Sequence, residues 1–411
     1  MAKCSHHFTC TMKKLCLIAD AIDTQYAGPY TYASMLIPAL EATRPADWEM
    51  TYVHARPNSF FSGRNAWLVP TTPRFPGSNT YRRLVRLPAL LRKIQCTVVH
   101  DLGHIAPFPR KQESYGKVLT IHDITPILFP GWHVWQSRFM HRWIFPRIVA
   151  RADHLITVSE TTKNDVARVL HPAVPMSPIP LAAKKLPAPK KRLLDAPYIL
   201  CVSTLEPRKN LDMLLTAFTA LRKNGSSLNL VLVGKVGWHA KELLAKIQQS
   251  PVRAYIHLPG FTSDEELSSW YAHARLAVYP SLYEGFGLPL LEAMGAGVPL
   301  ICSDIPSTRE VAGDAVLYVS PKDPRELAHA IDMLLTDSDL AARLQQKAQA
   351  RAAQFSWEET ARQTWAVYEQ VASMASVKRG PSSTQERCCT NAEVGVSSDN
   401  ACSSATSHES P

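Results

Sequence analysis

The second half of the chain alternates short apolar runs with longer amphipathic stretches. The runs are rich in Val, Ile and Leu and are bounded by Gly, Pro or polar residues, which is typical of buried strands, while the stretches between them have a helical spacing of apolar positions. Strands that alternate with helices in this way form a parallel, doubly wound sheet. The predicted strands span residues 198–204, 228–234, 255–260, 275–281, 298–304 and 315–320.

The first half shows the same order less regularly. Its apolar runs are also separated by helical patterns, so we predict a second sheet of the same class. The chain is therefore expected to be an α/β protein with two Rossmann-like, doubly wound domains that face each other across a cleft. The predicted strands of the first half span residues 14–20, 50–55, 97–101, 117–123 and 154–160.

Composition indicates where the domains end. Residues 171–197 are rich in Pro and Lys, as expected of a linker, and separate an N-terminal domain, residues 1–185, from a C-terminal domain, residues 186–373. A final helix at about residues 356–372 can cross back to the N-terminal domain. Residues 374–411 are rich in Ser, Thr, Ala and Gly and lack the apolar mass to fold, which predicts a disordered tail.

Overall composition is that of an ordinary globular protein, with 46% hydrophobic and 19% charged residues. No apolar run approaches the roughly 20 residues that span a bilayer, and the run at residues 14–20 is too short for the core of a signal peptide. The nine cysteines form no CxxC pair, which favours reduced thiols over a disulfide framework. We therefore expect a cytoplasmic protein.

Positive charge is concentrated in the first half. Residues 1–195 hold 26 Lys and Arg against 12 Asp and Glu, whereas residues 196–411 hold 19 against 23. Two basic segments, residues 81–94 and 138–147, mix these charges with apolar and aromatic residues. They are either amphipathic helices with solvated basic faces or a surface that docks on anionic lipid or on an anionic, lipid-linked substrate at the inner face of a membrane.

Two acids stand alone in the stretch LYEGFGLPLLEAMGAGVP, residues 282–299, where Glu284 and Glu292 have only small or apolar residues between them. A strand precedes the stretch, and Pro289 suits the first turn of a helix, so the glycine-rich loop leads into a helix N-terminus that can bind phosphate. Carboxylates accept hydrogen bonds, so a polyhydroxylated ligand would satisfy both acids. The alternative is that one acid caps a helix and the other is solvated.

The longer stretch YPSLYEGFGLPLLEAMGAGVPLICSD, residues 279–304, resembles the Glu-x7-Glu signature of the retaining, family-4-type glycosyltransferases of the GT-B fold. Further similar motifs occur in order over most of residues 197–370, among them STLEPRKNLDMLLTAF at residues 203–218. In the first half the resemblance is thinner, chiefly at residues 118–130 and 155–166. It implies that the C-terminal domain binds a nucleotide-sugar and the N-terminal domain holds the acceptor.

The resemblance also implies roles for individual residues. Arg208 and Lys209 match the pair that binds the donor diphosphate, Glu292 the acid on the nucleotide ribose, and Glu284 the acid near the donor sugar. His122, at the end of a predicted strand, matches a histidine of the N-terminal domain that reaches that sugar, and Asp123 beside it either orients the imidazole or caps the next segment. The amides that would bind phosphate and sugar belong to Gly285, Phe286, Gly287 and Leu288.

The chain departs from this pattern at two predicted donor-binding positions. Similar proteins often carry a run of glycines after the first strand, where this chain has only Gly28, and some carry an arginine where it has Ser203.

Asp337 and Asp339 imitate a metal-binding motif but lie between two helical patterns, which favours a cap. The spacing of His100, Asp101 and His104 suggests a metal cluster without supporting ligands, so we predict no metal and no other cofactor.

The leading hypothesis is a retaining hexosyltransferase that moves a sugar, with mannose from GDP-mannose as the first guess, to a glycan or lipid-linked acceptor in polysaccharide or glycoconjugate biosynthesis. One alternative is a GT-B sugar-nucleotide epimerase. Another is a non-catalytic module that binds an anionic glycan or other polyanion through the basic half. Nucleic acid is not an expected partner because the chain lacks an interleaved aromatic and basic recognition motif.

Overall fold

The computed structural model describes residues 12–24, 27–71, 78–103 and 105–379, which contain two parallel sheets. The first sheet forms the N-terminal lobe and has the strand order β3-β2-β1-β4-β5-β6-β7. All of its pairings are parallel, as predicted for a doubly wound sheet. Its strands are β1 Lys13–Ile18, β2 Trp48–His54, β3 Ala66–Leu68, β4 Val98–Asp101, β5 Gly116–Ile121, β6 His154–Thr157 and β7 Met176–Pro178.

The second sheet forms the C-terminal lobe, with the order β10-β9-β8-β11-β12-β13. Each predicted strand of this half is present, and the structure shortens every one of them by one to three residues. The two-sheet α/β prediction is therefore confirmed. The strands are β8 Tyr198–Val202, β9 Asn229–Val233, β10 Ile256–Gly260, β11 Leu276–Tyr279, β12 Leu300–Ser303 and β13 Leu317–Val319.

Two edge strands of the first sheet were missed. Strand β3 is only three residues long and two of them, Trp67 and Leu68, are exposed, so it lacks the apolar run of a buried strand. Strand β7 ends at Pro178 inside the segment interpreted as a linker. Proline is tolerated there because an edge strand leaves one row of backbone groups unpaired. The linker prediction was therefore wrong at residues 176–178.

Helices cover both faces of each sheet. Short 3-10 turns at Ser59–Phe61, Pro130–Trp132, Pro207–Lys209 and Arg253–Tyr255, and π-helical turns at Arg82–Arg86 and Met140–Ile144, join or extend them. The helices are α1 Asp20–Thr24, α2 Ala27–Ala42, α3 Ser78–Tyr81, α4 Leu87–Lys93, α5 Thr125–Leu128, α6 Trp135–Phe139, α7 Phe145–Val149, α8 Glu160–Leu170, α9 Leu211–Lys223, α10 Lys241–Gln249, α11 Asp264–His273, α12 Leu288–Gly295, α13 Pro306–Ala312, α14 Pro324–Thr336, α15 Ser338–Ala352 and α16 Trp357–Arg379.

The last helix, α16, packs against the N-terminal lobe. The Trp365 indole donates to the carbonyl of Leu40 at 3.2 Å, and Glu369 accepts from the Lys13 ammonium at 2.7 Å. The helix continues to Arg379, six residues into the segment 374–411 that the sequence predicts to be a disordered tail. The rest of the predicted tail, residues 380–411, lies outside the described residues.

The first basic segment is not a fully solvated helix face. Arg82 is only 1% exposed, and its guanidinium donates to both oxygens of Asp20 at 2.7 and 2.9 Å. Arg83 donates to Asp20 and to Asp101, which lies at the end of β4. These two arginines pair with acids at the carboxyl ends of β1 and β4, because an unpaired buried charge would be costly. The interpretation of a wholly solvated basic face is thus corrected for this segment.

No helix within the described ranges is both long and apolar enough to cross a membrane. The cysteines in those ranges are Cys16, Cys96, Cys201 and Cys302, and all of them are buried free thiols, as the sequence predicted. They pack as small hydrophobic residues in the apolar layers that flank the sheets.

Candidate active site

One cleft between the lobes collects the residues predicted to form the site. It lies at the carboxyl ends of the strands of the second sheet, which is where doubly wound sheets bind ligands. The roles implied by the resemblance stay predictions, but the positions agree with them. The predicted residues that line the cleft are Gly28, His122, Ser203, Arg208, Lys209, Glu284, Gly285, Phe286, Gly287, Leu288 and Glu292.

A single turn after β8 positions both cations. Arg208 and Lys209 belong to the 3-10 turn Pro207–Lys209, and the carbonyl of Arg208 accepts from the backbone N–H of Leu282 at 2.9 Å. Asn210 follows in the left-handed conformation, with φ of 55°, and its amide donates to the carbonyls of Pro280 and Pro321. The turn is therefore tied to the segment that contains Glu284.

Glu284 is buried between these two cations. Its Oε2 accepts from Arg208 Nη1 at 2.7 Å and its Oε1 accepts from Lys209 Nζ at 2.5 Å, and the residue is 5% exposed. Burial by itself would raise the pKa of Glu284, but the charges of Arg208 and Lys209 hold it below its ordinary value. The carboxylate is therefore ionised at neutral pH and fixes the directions of both cations.

Further contacts hold the two cations in place. Glu206 accepts from Arg208 Nε at 3.0 Å and from Nη2 at 2.9 Å. Burial lowers the pKa of Arg208, but Glu284, Asp123 and Glu206 raise it further, so the net shift is upward. The Lys209 ammonium also donates to the Tyr279 hydroxyl at 3.4 Å. Such preorganised cations can stabilise negative charge on a ligand without reorganising during a reaction.

The glycine-rich loop, residues 282–287, leads into α12 as predicted. A methyl group on Gly285 would lie 1.8 Å from the carbonyl oxygen of His122, so only glycine fits there. Gly287 has φ of 108°, a left-handed conformation that favours glycine. The ring of Phe286 packs on Phe355 in the core, which leaves its backbone to face the cleft. Leu288 starts the helix, and it lines the cleft together with Pro289.

Glu292 lies about one turn inside α12 and is half-buried. The Tyr271 hydroxyl donates to its Oε2 at 3.4 Å. Burial raises the pKa of Glu292 to about 7, and the nearby Asp264 adds to the rise, while Tyr271 and Lys184 oppose it. Near neutral pH this carboxyl group is therefore poised between its two protonation states, and donors from a ligand would favour the ionised one.

His122 follows β5 on the opposite side of the cleft. Its Nε2 lies 2.9 Å from the carbonyl oxygen of Leu102, and a carbonyl can only accept, so Nε2 carries the proton. Burial lowers the pKa of His122, although Leu102 and Asp123 oppose the shift. Of the two roles weighed for Asp123, the structure shows the cap, because its Oδ1 accepts from the backbone N–H and the hydroxyl of Thr125.

The two positions at which the chain departs from the family pattern also lie in the cleft. Gly28 is in the first turn of α2, and a methyl group there would meet nothing within 4 Å, so packing does not require glycine. Ser203 follows β8 and is 8% exposed. Its carbonyl would lie 2.0 Å from a methyl group on Gly234, so the ends of β8 and β9 approach closely at the floor of the cleft.

Several cleft residues were missed by sequence reasoning. Lys235 lies two residues after the end of β9, and Phe261 directly follows β10. The Lys235 ammonium lies 4.5 Å from the centre of the ring of Phe261, a residue that is 73% exposed. Trp238 lines the cleft nearby, and its indole donates to the carbonyl of Trp132 in the other lobe. Their positions just after predicted strands were the available signal, because ligands bind at those ends.

The two metal-like spacings have structural explanations. His100 is fully buried, with Nδ1 2.6 Å from the Tyr368 hydroxyl and Nε2 2.7 Å from the Thr120 hydroxyl, and burial lowers its pKa to about 3. His104 lies outside the described residues. Asp337 caps α15, as predicted, because its carboxylate accepts from the backbone N–H of Leu340 at 2.8 Å.

Two doubly wound lobes that face each other across a cleft, with paired cations and a glycine-rich helix N-terminus in one lobe, define a GT-B glycosyltransferase. Residues 32–182 match the family model described as Glycosyltransferase Family 4, and residues 184–351 match the one described as Glycosyl transferases group 1. The chain belongs to this group 1, family-4-type family of glycosyltransferases, as the resemblance in the sequence implied.

Known relatives agree with this membership. The O-antigen chain mannosyltransferase B of Escherichia coli is 34% identical over 270 residues, which cover 61% of this chain and 70% of the relative. The serotype-specific mannosyltransferase WbdA of Escherichia coli is 28% identical over 357 residues, and the match covers 79% of this chain but only 42% of WbdA. The structure of a sucrose-phosphate synthase from Thermosynechococcus elongatus has the same fold, with a TM-score of 0.72 at 22% identity, covering 88% of this chain and 100% of the synthase.

Proposed function

We propose that the chain is a retaining mannosyltransferase that moves mannose from GDP-mannose to a glycan or lipid-linked acceptor in polysaccharide or glycoconjugate biosynthesis. The observation that carries the proposal is the buried cluster of Arg208, Lys209 and Glu284 beside the N-terminus of α12. The names of two similar relatives, the O-antigen chain mannosyltransferase B and the serotype-specific mannosyltransferase WbdA, support the choice of sugar and product.

Arg208 and Lys209 would bind the donor diphosphate. As the bond from the sugar to the phosphate breaks, negative charge grows on the phosphate oxygens, and cations held in advance stabilise that charge more in the transition state than in the ground state. No metal would then be needed, because the cations and the N–H groups of α12 supply the positive field. Glu292 would accept hydrogen bonds from the ribose, and Glu284 would face the donor sugar while it orients the cations.

His122 would contact the donor sugar from the N-terminal lobe. Burial keeps its imidazole neutral at physiological pH, so its contribution would be a hydrogen bond rather than a charge. The acceptor hydroxyl would attack the anomeric carbon on the face that the phosphate leaves. A phosphate oxygen of the leaving diphosphate would take the hydroxyl proton, which gives retention without a protein base.

The second basic segment, residues 138–147, together with Trp135 just before it, would bring the enzyme to lipid-linked acceptors. Trp135, Phe139 and Trp143 are 70%, 53% and 52% exposed, and Arg138 and Arg142 are exposed between them. No Asp or Glu occurs from residue 124 to residue 152. Exposed tryptophans among arginines suit the boundary between headgroups and acyl chains of an anionic membrane. We propose peripheral contact there, on the cytoplasmic side.

Product analysis tests the proposal. The purified chain is incubated with GDP-mannose, UDP-glucose or ADP-glucose and a mannose-containing oligosaccharide, without added metal and with EDTA, and the anomeric configuration of the product is read by NMR. An α-linked product from GDP-mannose would support the proposed donor and retention. Transfer from another donor, or inversion, would refute the corresponding part. Release of an isomerised sugar nucleotide would indicate the epimerase alternative.

A further inference from the structure

Helix α8 of the N-terminal lobe contacts the C-terminal lobe at three places. Its first half falls in residues 155–166, which the sequence singled out only by resemblance and to which it assigned no role. Ser159 is its N-cap and accepts from the backbone N–H of Thr162 at 2.9 Å, so the helix start is well defined. Each contact to the other lobe involves either the glycine-rich loop, residues 282–287, which we call the donor loop, or helix α13.

Glu310, on α13, caps α8 from the opposite lobe. Its carboxylate accepts from the backbone N–H groups of Glu160 at 2.7 Å and of Thr161 at 2.9 Å, and from the Thr161 hydroxyl at 2.8 Å. The first N–H groups of a helix are unpaired and carry partial positive charge, so a carboxylate there is favourable. A cap usually comes from a neighbouring residue, whereas this one is 150 positions away and exists only while the lobes are together.

The same helix holds the donor loop. The hydroxyls of Ser159 and Thr162 both donate to the carbonyl of Gly285, and both residues are fully buried. Gly285 also lies against the backbone of His122, without room for a side chain between them. Gly285, the residue after Glu284, is therefore fixed by groups of the other lobe.

A third contact holds Tyr283, the residue before Glu284. The Tyr283 hydroxyl donates to Asp165, a half-buried residue of α8 about one and a half turns from the start of the helix, at 2.7 Å. Tyr283 also packs its ring against Phe129 of the N-terminal lobe, with ring centres 5.5 Å apart. Both neighbours of Glu284 thus bond to α8, while Glu284 itself bonds to Arg208 and Lys209.

We propose that Ser159, Thr162 and Glu310 are positioning residues that make α8 an inter-lobe clasp on the donor loop. Closure of the lobes onto α8 orders residues 283–285 and so sets Glu284, Arg208 and Lys209 for the donor diphosphate. The inference rests on the proposed function for the identity of the donor. The clasp itself follows from contacts within the protein.

Opening the lobes would leave the carbonyl of Gly285 and the first N–H groups of α8 to water. The enzyme then interconverts between an open form and a closed form, and only the closed form has an ordered donor loop. The apparent dissociation constant of a donor equals its intrinsic value divided by the closed fraction. A residue that stabilises closure without touching the ligand therefore tightens donor binding. Glu310 suits a test because it is not among the residues that line the cleft.

The test compares full-length wild type, Glu310→Lys and the matched charge reversal Glu242→Lys, which is exposed on α10. Small-angle X-ray scattering without ligand measures the radius of gyration, and calorimetry measures the affinity for GDP and UDP. A lysine beside the positive end of α8 should open the lobes, increase the radius of gyration and weaken nucleotide binding by about five- to tenfold. The Glu242→Lys control should match wild type in both measurements.

If Glu310 had a purely structural role, Glu310→Lys would lower the melting temperature but leave the nucleotide affinity of the folded protein unchanged. An unchanged radius of gyration together with an unchanged nucleotide affinity in Glu310→Lys would overturn the proposal. If that variant does not fold, Glu310→Gln and Ser159→Ala take its place with the same criteria. If wild type binds neither GDP nor UDP, the donor assignment fails, but the scattering comparison still decides whether the clasp exists.

Discussion

Arg208 and Lys209 are held by one carboxylate, since one oxygen of Glu284 accepts from Arg208 at 2.7 Å and the other accepts from Lys209 at 2.5 Å. The carboxylate is buried, and so is Lys209. A buried ion pair has little net effect on stability when complete, but it leaves an expensive uncompensated charge when one partner is removed. The arrangement therefore fixes the geometry of the cations, and it makes the site sensitive to any change of charge within it.

Replacing Glu284 by Gln should lower both stability and activity. The variant keeps the shape of the side chain but leaves the buried Lys209 and the half-buried Arg208 with less compensation, which should lower the free energy of unfolding by about 1–3 kcal/mol. Transfer should fall by about 100-fold or more, because the cations lose their orientation. Urea unfolding and initial rates measure the two effects. Glu242→Gln, on the exposed face of α10, is the control, and equal values for both variants would contradict the prediction.

Replacing Lys209 by Ala should weaken binding of the nucleoside diphosphate by about 10- to 100-fold, because a charge-assisted hydrogen bond contributes about 1.5–3 kcal/mol. Calorimetric titration with GDP checks this. Lys246→Ala removes a lysine of the same lobe that pairs with Asp212 in an exposed salt bridge, and it should bind like wild type. If Lys209→Ala and Lys246→Ala bind equally well, Lys209 does not contact the diphosphate.

Stability should fall as pH rises across the titration of Glu292. Its pKa in the folded state is about 7, against an ordinary value of 4.5, so between these values the folded chain retains a proton that the unfolded chain has lost. The folded state binds more protons there, and its stability decreases with pH by about 1.4 kcal/mol for each unit of pKa displacement. Glu292→Gln removes this term, so its stability should fall less than that of wild type between pH 5 and pH 8. Parallel pH profiles from urea unfolding would refute the shift.

Adding a methyl group to Gly285 should disrupt the donor loop. The new atom would lie 1.8 Å from the carbonyl oxygen of His122, which is backbone and cannot move aside, so the lobes or the loop must shift. Gly285→Ala should therefore lose most transferase activity while each sheet stays folded, as circular dichroism would show. Gly131→Ala is the matched control, because a methyl group there meets nothing within 4 Å. Activity of Gly285→Ala close to that of the control would contradict the packing.

Removing the exposed tryptophans in and just before the second basic segment should weaken contact with anionic lipid. Trp135→Ser combined with Trp143→Ser should reduce sedimentation with vesicles that contain phosphatidylglycerol, since both the apolar area and the interfacial anchors are lost. Trp67→Ser removes a comparably exposed tryptophan from edge strand β3 and serves as the control. If wild type and the double variant sediment alike, or if neither sediments, the segment is not a membrane surface.

Sequence patterns were sufficient for much of the fold because they reflect local physics. Buried parallel strands need unbroken apolar runs, so β8 to β13 were found, whereas the short, exposed β3 and the proline-ended β7 carry no such signal. The loop from Leu282 into α12 was also predictable, since glycine and a proline in the first helical turn mark that transition along the chain itself.

The sequence by itself determined the order of strands and helices, the loop that enters α12, and the two acids, Glu284 in that loop and Glu292 in the helix. It did not determine what those acids contact. The tertiary structure decided that Glu284 is shared by Arg208 and Lys209, that Arg82 is buried against Asp20, and that Glu310 caps a helix of the other lobe. The physical reason is range: periodicity and capping act between near neighbours, whereas ion pairs and inter-lobe hydrogen bonds join residues far apart in the chain and depend on how the two sheets dock.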